Sequence, residues 1–473
     1  MMMNLTSGTL IPDGRFAGLL ITLAALLLTA TASSSAKPNP FAKSIQLAPS
    51  FLYYLDRSPE SIASEVKVNG YGCVRLVVTR DSTADPQLVA AFHREGLAVW
   101  YTTFANGVYS TGDLPTGWES WRMKLKNDGH TAGSFTYLCL NNPQYRKWKK
   151  KQVVATLKRI PFDAFEMAEP FLPAFPGPES PLYGCLCHTC QSAFRNMYPG
   201  EPDIPNFTDE KDPNFYTRNR KLYEKWVEFR VKAVLSFQND IVNGPGGVRK
   251  SCPNVKVATW GIADAIPNAV QTIREWEAID GALIATTVRP DLYVIQTDWP
   301  DWFDPKLPAE YPLQYKPFVD AIRSSGSKVP ILMQADIGSR ENSRRGRKWM
   351  QKCEAAAKEA GMIGITAYEY HLSIDMYESP PSLVDASGAG DTITLTFDKR
   401  LDASKACDLR NYTVEPGRAL AAEVDGNLVK LKVEGRPATV RARNLSDDPT
   451  RRFFKGHPAS VMAREAVGRV KWE

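Results

Sequence analysis

Eight short runs rich in β-branched and aromatic residues recur along this chain, at 45–55, 74–79, 98–104, 162–169, 255–260, 292–298, 330–336 and 363–369. Each has the length of a buried strand, and the segments between them carry helical periodicity or turn residues. Helices are expected over 86–95, 144–159, 216–242, 268–278, 312–324 and 346–361, several of them stopped by a glycine. Strand followed by helix, eight times in one row, predicts a closed parallel barrel. The alternative, an open doubly wound sheet, would place a phosphate-binding glycine fingerprint after its first strand, and the sequence has none there. With 473 residues, 43% of them apolar, the chain can bury the core such a barrel needs.

Beyond Pro380 the texture changes. Short alternating strands are expected at 392–397, 411–414, 420–424, 428–433 and 439–443, separated by Gly, Asp and Pro turns. The expected fold class is therefore α/β, a (β/α)8 TIM barrel over 44–379 followed by a small β-sandwich over 380–473. The stretch 382–414 resembles the Ig-like modules appended to exported bacterial carbohydrate enzymes, which act as spacers, so no chemistry is assigned to it.

At the amino end, Arg15 precedes an apolar run at 17–30, and Ala30-Thr31-Ala32 fits the small-x-small rule for signal peptidase. Residues 1–32 read as a signal peptide and 33–43 as a linker, with export to the periplasm or outside the cell, and release, expected. An uncleaved anchor is the alternative, though the run is short for a span. The net charge of +6 comes from 58 basic and 52 acidic residues mixed along the chain. The basic runs at 344–348 and 149–151 read as solvated faces, and no nucleic-acid partner is expected.

In a parallel barrel the reactive groups sit where strands end, because the loops there vary while the layers beneath are packed. Strand four ends in Glu169, strand five at Trp260, strand six in Gln296-Thr297-Asp298-Trp299, strand seven in Gln334-Ala335-Asp336 and strand eight in Tyr368-Glu369-Tyr370-His371. Carboxylates, amides and aromatic faces converging on one rim suit a sugar: rings stack on aromatics, hydroxyls bond to Gln, Asp and Glu, and glycosidic cleavage needs two carboxylates in different protonation states. Glu169 is the expected acid; Glu369 and Asp336 compete for the second carboxylate, with Asp298 behind them. Trp260, Gln296, Asp298, Trp299, Gln334, Tyr368 and His371 are the expected sugar contacts. Glu166 is expected on the opposite face from Glu169, as partner to a buried Arg or Lys.

Cys185-x-Cys187-x-x-Cys190 puts three thiols in one short loop, and Cys139, ahead of the helix leading to strand four, supplies a fourth. Four thiolates satisfy tetrahedral zinc with no open position, which makes a structural site and calls for no organic cofactor. His188 could replace one of them. Disulfides are the alternative, since export favours oxidation and the eight cysteines are an even number.

The segment from Tyr137-Leu138-Cys139-Leu140-Asn141-Asn142-Pro143 through Ala168-Glu169-Pro170 to Cys185-Leu186-Cys187-His188-Thr189-Cys190 resembles the family-42 glycoside hydrolases, β-galactosidases of the large retaining barrel clan. The resemblance implies zinc on Cys139, Cys185, Cys187 and Cys190, the acid/base role for Glu169, and a carbohydrate substrate. Two departures stand against carrying over the galactosidase activity. Ala168 replaces the Asn that bonds the sugar 2-hydroxyl, and strand seven offers Asp336 where the clan has its nucleophilic Glu. A barrel that binds glycan without cutting it is the alternative these departures leave open.

Overall fold

The computed structural model describes residues 39–335, 340–368 and 376–473; the backbone but not the side chains of Trp299 and Met376 is included. The expected signal peptide, together with Asp336, Glu369 and His371, lies outside the described residues.

The barrel is closed. Its strands are β1 (Lys43–Leu47), β2 (Cys73–Val77), β3 (Ala98–Phe104), β4 (Ala164–Ala168), β5 (Lys256–Ala263), β6 (Leu292–Thr297), β7 (Ile331–Ala335) and β8 (Ile365–Tyr368). Consecutive strands pair in parallel, and β8 returns to β1 through Ser44 opposite Thr366 and Gln46 opposite Tyr368. All eight expected strands are present. The first stops eight residues earlier than expected, because Pro49 has no N–H for the ladder, and 52–54 close into a single 3-10 turn instead.

Helices cross back between strands where the periodicity placed them, among them Pro86–Arg94, Pro143–Arg159, Arg220–Val242, Ala269–Glu277, Lys316–Ser324 and Arg347–Glu359. Their starts are written locally. Asn142 accepts from the N–H groups of Gln144 and Tyr145 with Pro143 in the first turn, and Ser58 caps Pro59–Val68 in the same way. Among the described residues, no helix is long and apolar enough to cross a membrane.

The lumen is polar in its middle layer. Arg75 on β2 donates to Glu166 on β4 from Nε at 3.1 Å and Nη2 at 2.7 Å, while Thr102 on β3 donates to the same oxygen at 3.1 Å. Arg75 also donates to Oε1 of Gln334, which accepts from Trp260 Nε1 at 3.2 Å, and Gln334 in turn donates to Gln296 at 3.0 Å. Glu166 therefore has the buried Arg partner expected of it.

Within the basic run at 149–151, Lys151 is exposed as expected and Lys149 departs from expectation. Lys149 is buried and bonds Thr103 Oγ1 at 2.6 Å and Asp81 at 3.3 Å, because its face of the helix Pro143–Arg159 is the one pressed on the barrel. Arg345, from the other run, is likewise buried and donates to the carbonyls of Asn342, Arg344 and Asp304.

The C-terminal part is a β-sandwich. One sheet orders β12 (Arg418–Asp425), β13 (Leu428–Glu434), β10 (Thr392–Phe397), β9 (Leu383–Ala389) and β16 (Lys471–Trp472); the other holds β11 (Tyr412–Glu415), β14 (Thr439–Ala442) and β15 (Ala466–Arg469). Alternation buries Ile393, Leu395 and Phe397 against Val429, Leu431 and Val433, with Val440 from the facing sheet. Residues 39–473 form one compact unit.

Candidate active site

Glu169 follows the last residue of β4 with φ +52, a left-handed conformation uncommon outside glycine and frequent where a fold holds a functional side chain in place. Pro170 follows it, and the backbone on either side is tied down: Ala105 N–H donates to Ala168 O at 2.8 Å, and Asn106 Nδ2 to Phe171 O at 3.0 Å. Glu169 is half-buried at the C-terminal rim.

The loop after β3 builds an aromatic wall beside it. Tyr109 meets Phe104 at 5.0 Å and Phe135 at 4.8 Å between ring centres, both edge to face, and Phe135 meets Tyr137 at 5.1 Å. Burial, and after it the nearby Glu169 carboxylate, push both phenols well above their ordinary range. Tyr109 is 45% exposed, so the wall presents a ring to solvent next to Glu169.

More carboxyls stand on the rim. Asp298 directly follows β6 and is buried, its N–H donating to Ala263 O at 2.9 Å. Asp264 follows β5, also buried, and its carboxyl is pushed up to about 6 by burial and then by Asp301, against one bond from the Ala265 N–H. Asp301 accepts from Tyr315 OH at 2.5 Å. Glu277, at the end of the helix Ala269–Glu277, is buried close to Asp298 and Glu169.

Of the expected sugar contacts, Tyr368 ends β8 and its ring lies 6.5 Å from that of Trp302, giving a second aromatic surface across the rim. Trp299 opens the short helix Trp299–Phe303. Trp260, Gln334 and Gln296 sit lower, as the floor: Trp260 stacks under Phe171 at 6.0 Å, and the two amides bond each other. Tyr109, Tyr137, Asp264 and Glu277 were missed by reasoning from barrel strand ends: Tyr109 lies in a loop, Tyr137 on the short strand Phe135–Tyr137 outside the barrel, and Glu277 on a helix, while Asp264 lay beyond the expected end of strand five, which runs on to Ala263.

The four cysteines meet. The Sγ atoms of Cys139, Cys185, Cys187 and Cys190 all lie within 4.8 Å of one another, with Cys139 to Cys187 at 3.5 Å and Cys139 to Cys190 at 3.6 Å. Thiolates at about 2.3 Å from a tetrahedral zinc are about 3.8 Å apart, so this donor set and its spacing fit such an ion. No S–S bond joins any of the eight cysteines. Cys187 stands at the position just before the helix His188–Met197, whose N-terminal dipole favours thiolate charge, and Asn141 Nδ2 donates to Cys190 Sγ at 3.4 Å.

Arg230, fully buried on the helix Arg220–Val242, links this loop to the rim. It donates to Gly184 O at 3.1 and 3.3 Å, to Glu275 O at 2.8 Å and to Trp276 O at 2.8 Å, with its guanidinium 4.4 Å over the Tyr183 ring.

The chain matches no protein-family model and no curated protein. Among solved structures it is similar to an endo-β-1,4-mannanase from Thermotoga petrophila (11% identity over 91% of this chain and 98% of that one, TM-score 0.39). It is also similar to the glycoside hydrolase domain of PelA from Pseudomonas aeruginosa (11%, 70% and 98%, TM-score 0.38) and a family-18 chitinase from Pseudoalteromonas aurantia (8%, 69% and 93%, TM-score 0.33).

Proposed function

We propose that this chain is an exported glycoside hydrolase that cleaves O-glycosidic bonds of an oligo- or polysaccharide at the C-terminal face of its barrel. The observation that carries this reading is the rim itself: Glu169, held in a left-handed conformation at the end of β4, beside the partly exposed Tyr109 ring and a row of buried carboxyls. A sugar ring stacks on Tyr109 and on the Trp302–Tyr368 surface. Glu169 gives its proton to the leaving oxygen, and Asp336 or Glu369 attacks the anomeric carbon or activates water. Gln296, Gln334 and Trp260 make the floor, and Trp299, Asp298 and His371 are further contacts to hydroxyls.

Zinc on Cys139, Cys185, Cys187 and Cys190 is part of the proposal. Its four thiolates leave no open position, so its task is to hold the loop after Glu169 in place. The apolar run at 17–30 and the cleavage signal at 30–32 support export. The sandwich, Ig-like in this reading, contributes no catalytic group.

The test is a panel of glycans offered to the chain from Ser33 onward, with released sugars separated by chromatography and binding read in parallel on a glycan array. Released sugar supports the proposal, and the anomer first formed tells retention from inversion. Binding without release would favour the non-cutting barrel, for which Ala168, in the place of a 2-hydroxyl-binding Asn, is the specific observation.

A further inference from the structure

Glu277 ends the helix Ala269–Glu277 and belongs to no barrel strand. It is 2% exposed, and its Oε2 has no hydrogen-bond partner among the described residues. Its backbone is fixed from both directions. The Glu277 carbonyl accepts from Leu172 N–H at 3.1 Å, three residues beyond Glu169, and Ala278 turns the chain away immediately with φ +62.

A carboxylate there would be costly. It would be desolvated, and it would sit at the negative end of a helix dipole. Among the described residues, the charged groups that act on it are Asp298 from the end of β6, Arg230 from the helix Arg220–Val242 and Glu169 from the end of β4, with the Tyr137 phenol close by. Arg230 directs four hydrogen bonds to backbone carbonyls rather than to this carboxyl. Burial first, and then the Asp298 carboxylate, push the Glu277 carboxyl well above its ordinary range, with Arg230 opposing.

We propose that Glu277 is a positioning residue of this rim: a neutral carboxylic acid close to Asp298 that keeps a second negative charge from standing beside Asp298 and the proton-bearing Glu169. The inference rests on the reading of Glu169 as proton donor. Glu277 keeps its own proton throughout turnover; Glu169 gives one to the leaving oxygen and recovers one from water. When Glu277 ionises at alkaline pH, it repels Asp298 and Glu169, and the arrangement fails.

The experiment compares the full chain with Glu277→Gln, a neutral side chain of the same shape. In the wild type, the folded Glu277 holds a proton that the unfolded chain has already lost. Its share of stability is therefore complete below the ordinary Glu value and falls as pH rises toward the folded one. The melting temperature of Glu277→Gln should thus gain on the wild type from acid to alkaline pH, and infrared spectra at neutral pH should lose a protonated-carboxyl band. On any glycan the protein hydrolyses, the alkaline limb of the pH–rate profile should move to higher pH. A melting difference that is constant or narrows with pH, with the band unchanged, would overturn the proposal. If Glu277→Gln does not fold, Asp298→Asn serves: the band should then titrate at lower pH, and an unmoved band overturns the proposal. Melting and infrared readouts need no substrate, so a failed glycan panel leaves them standing, and their failure leaves the Glu169 reading intact.

Discussion

For a single side chain, buried charge is the costliest state, and the barrel holds it only where it is answered. Arg75 sits in the lumen with Glu166, Gln334 and the Trp100 ring around it, 5.0 Å from that ring's centre. Glu166→Gln would leave the guanidinium without its counter-charge, and we expect a loss of about 3–5 kcal/mol in chemical denaturation, the range for breaking a buried pair. Asp264 is the opposite case, a buried carboxyl facing another carboxylate. Its folded value of about 6 lies above the ordinary 3.8, so the folded chain binds a proton that the unfolded one has released, and the associated stability disappears as pH rises through that interval. Asp264→Asn should therefore melt increasingly above the wild type from about pH 4 to about pH 7, and parallel melting curves would contradict this. Glu169 and Asp298 were legible in the sequence because strand ends in a barrel face one rim. Tyr109 and Glu277 were not: the first sits in a loop whose folding follows no period, the second on a helix end whose inward position depends on where that helix docks.

Elements were read more easily than residues, for a physical reason. Eight strands and their helices write themselves as periodicity, with punctuation at Pro143, Pro59 and the capping Asn142 and Ser58. What periodicity cannot give is which polar side chains a tertiary contact consumes. Lys149 looked solvated among neighbouring lysines and is instead drawn under the helix to Asp81. The Cys loop is the element on which the zinc proposal turns: metal analysis should return about one zinc per chain, and Cys187→Ser should abolish it. Arg230 carries the consequence to the rim. Arg230→Met would leave the carbonyls of Gly184, Glu275 and Trp276 without their donor, and we expect a loss of about 3 kcal/mol or more at roughly 1–3 kcal/mol for each unsatisfied group. A change below about 1 kcal/mol would show that the loop is held by other means.

At the scale of the whole molecule, the sandwich is fastened to the barrel rather than strung from it. Arg400 donates to the carbonyls of Tyr53 and Leu55 at 2.8 and 2.7 Å, Ser58 N–H to Asp425 at 3.0 Å, and Arg57 to Asn427 at 3.2 Å. Arg57 also forms a buried pair with Glu65 at 2.5 Å, so Arg57→Ala would both remove the cation of that pair and loosen the joint. We expect a loss of about 3–5 kcal/mol, with barrel and sandwich still melting in one transition; two separated transitions in the wild type would mean the domains are independent. This docking lay beyond the sequence, where the change of texture at Pro380 suggested only a boundary. Whether this barrel cuts glycans through Glu169 is decided by sugar release from the best glycan of the panel, compared between the wild type and Glu169→Gln. We expect release by the wild type and a fall of about 100- to 10,000-fold in the variant, with glycan binding retained, as follows when a general acid is removed. Equal release by both proteins would contradict the role of Glu169 and with it the proposed site.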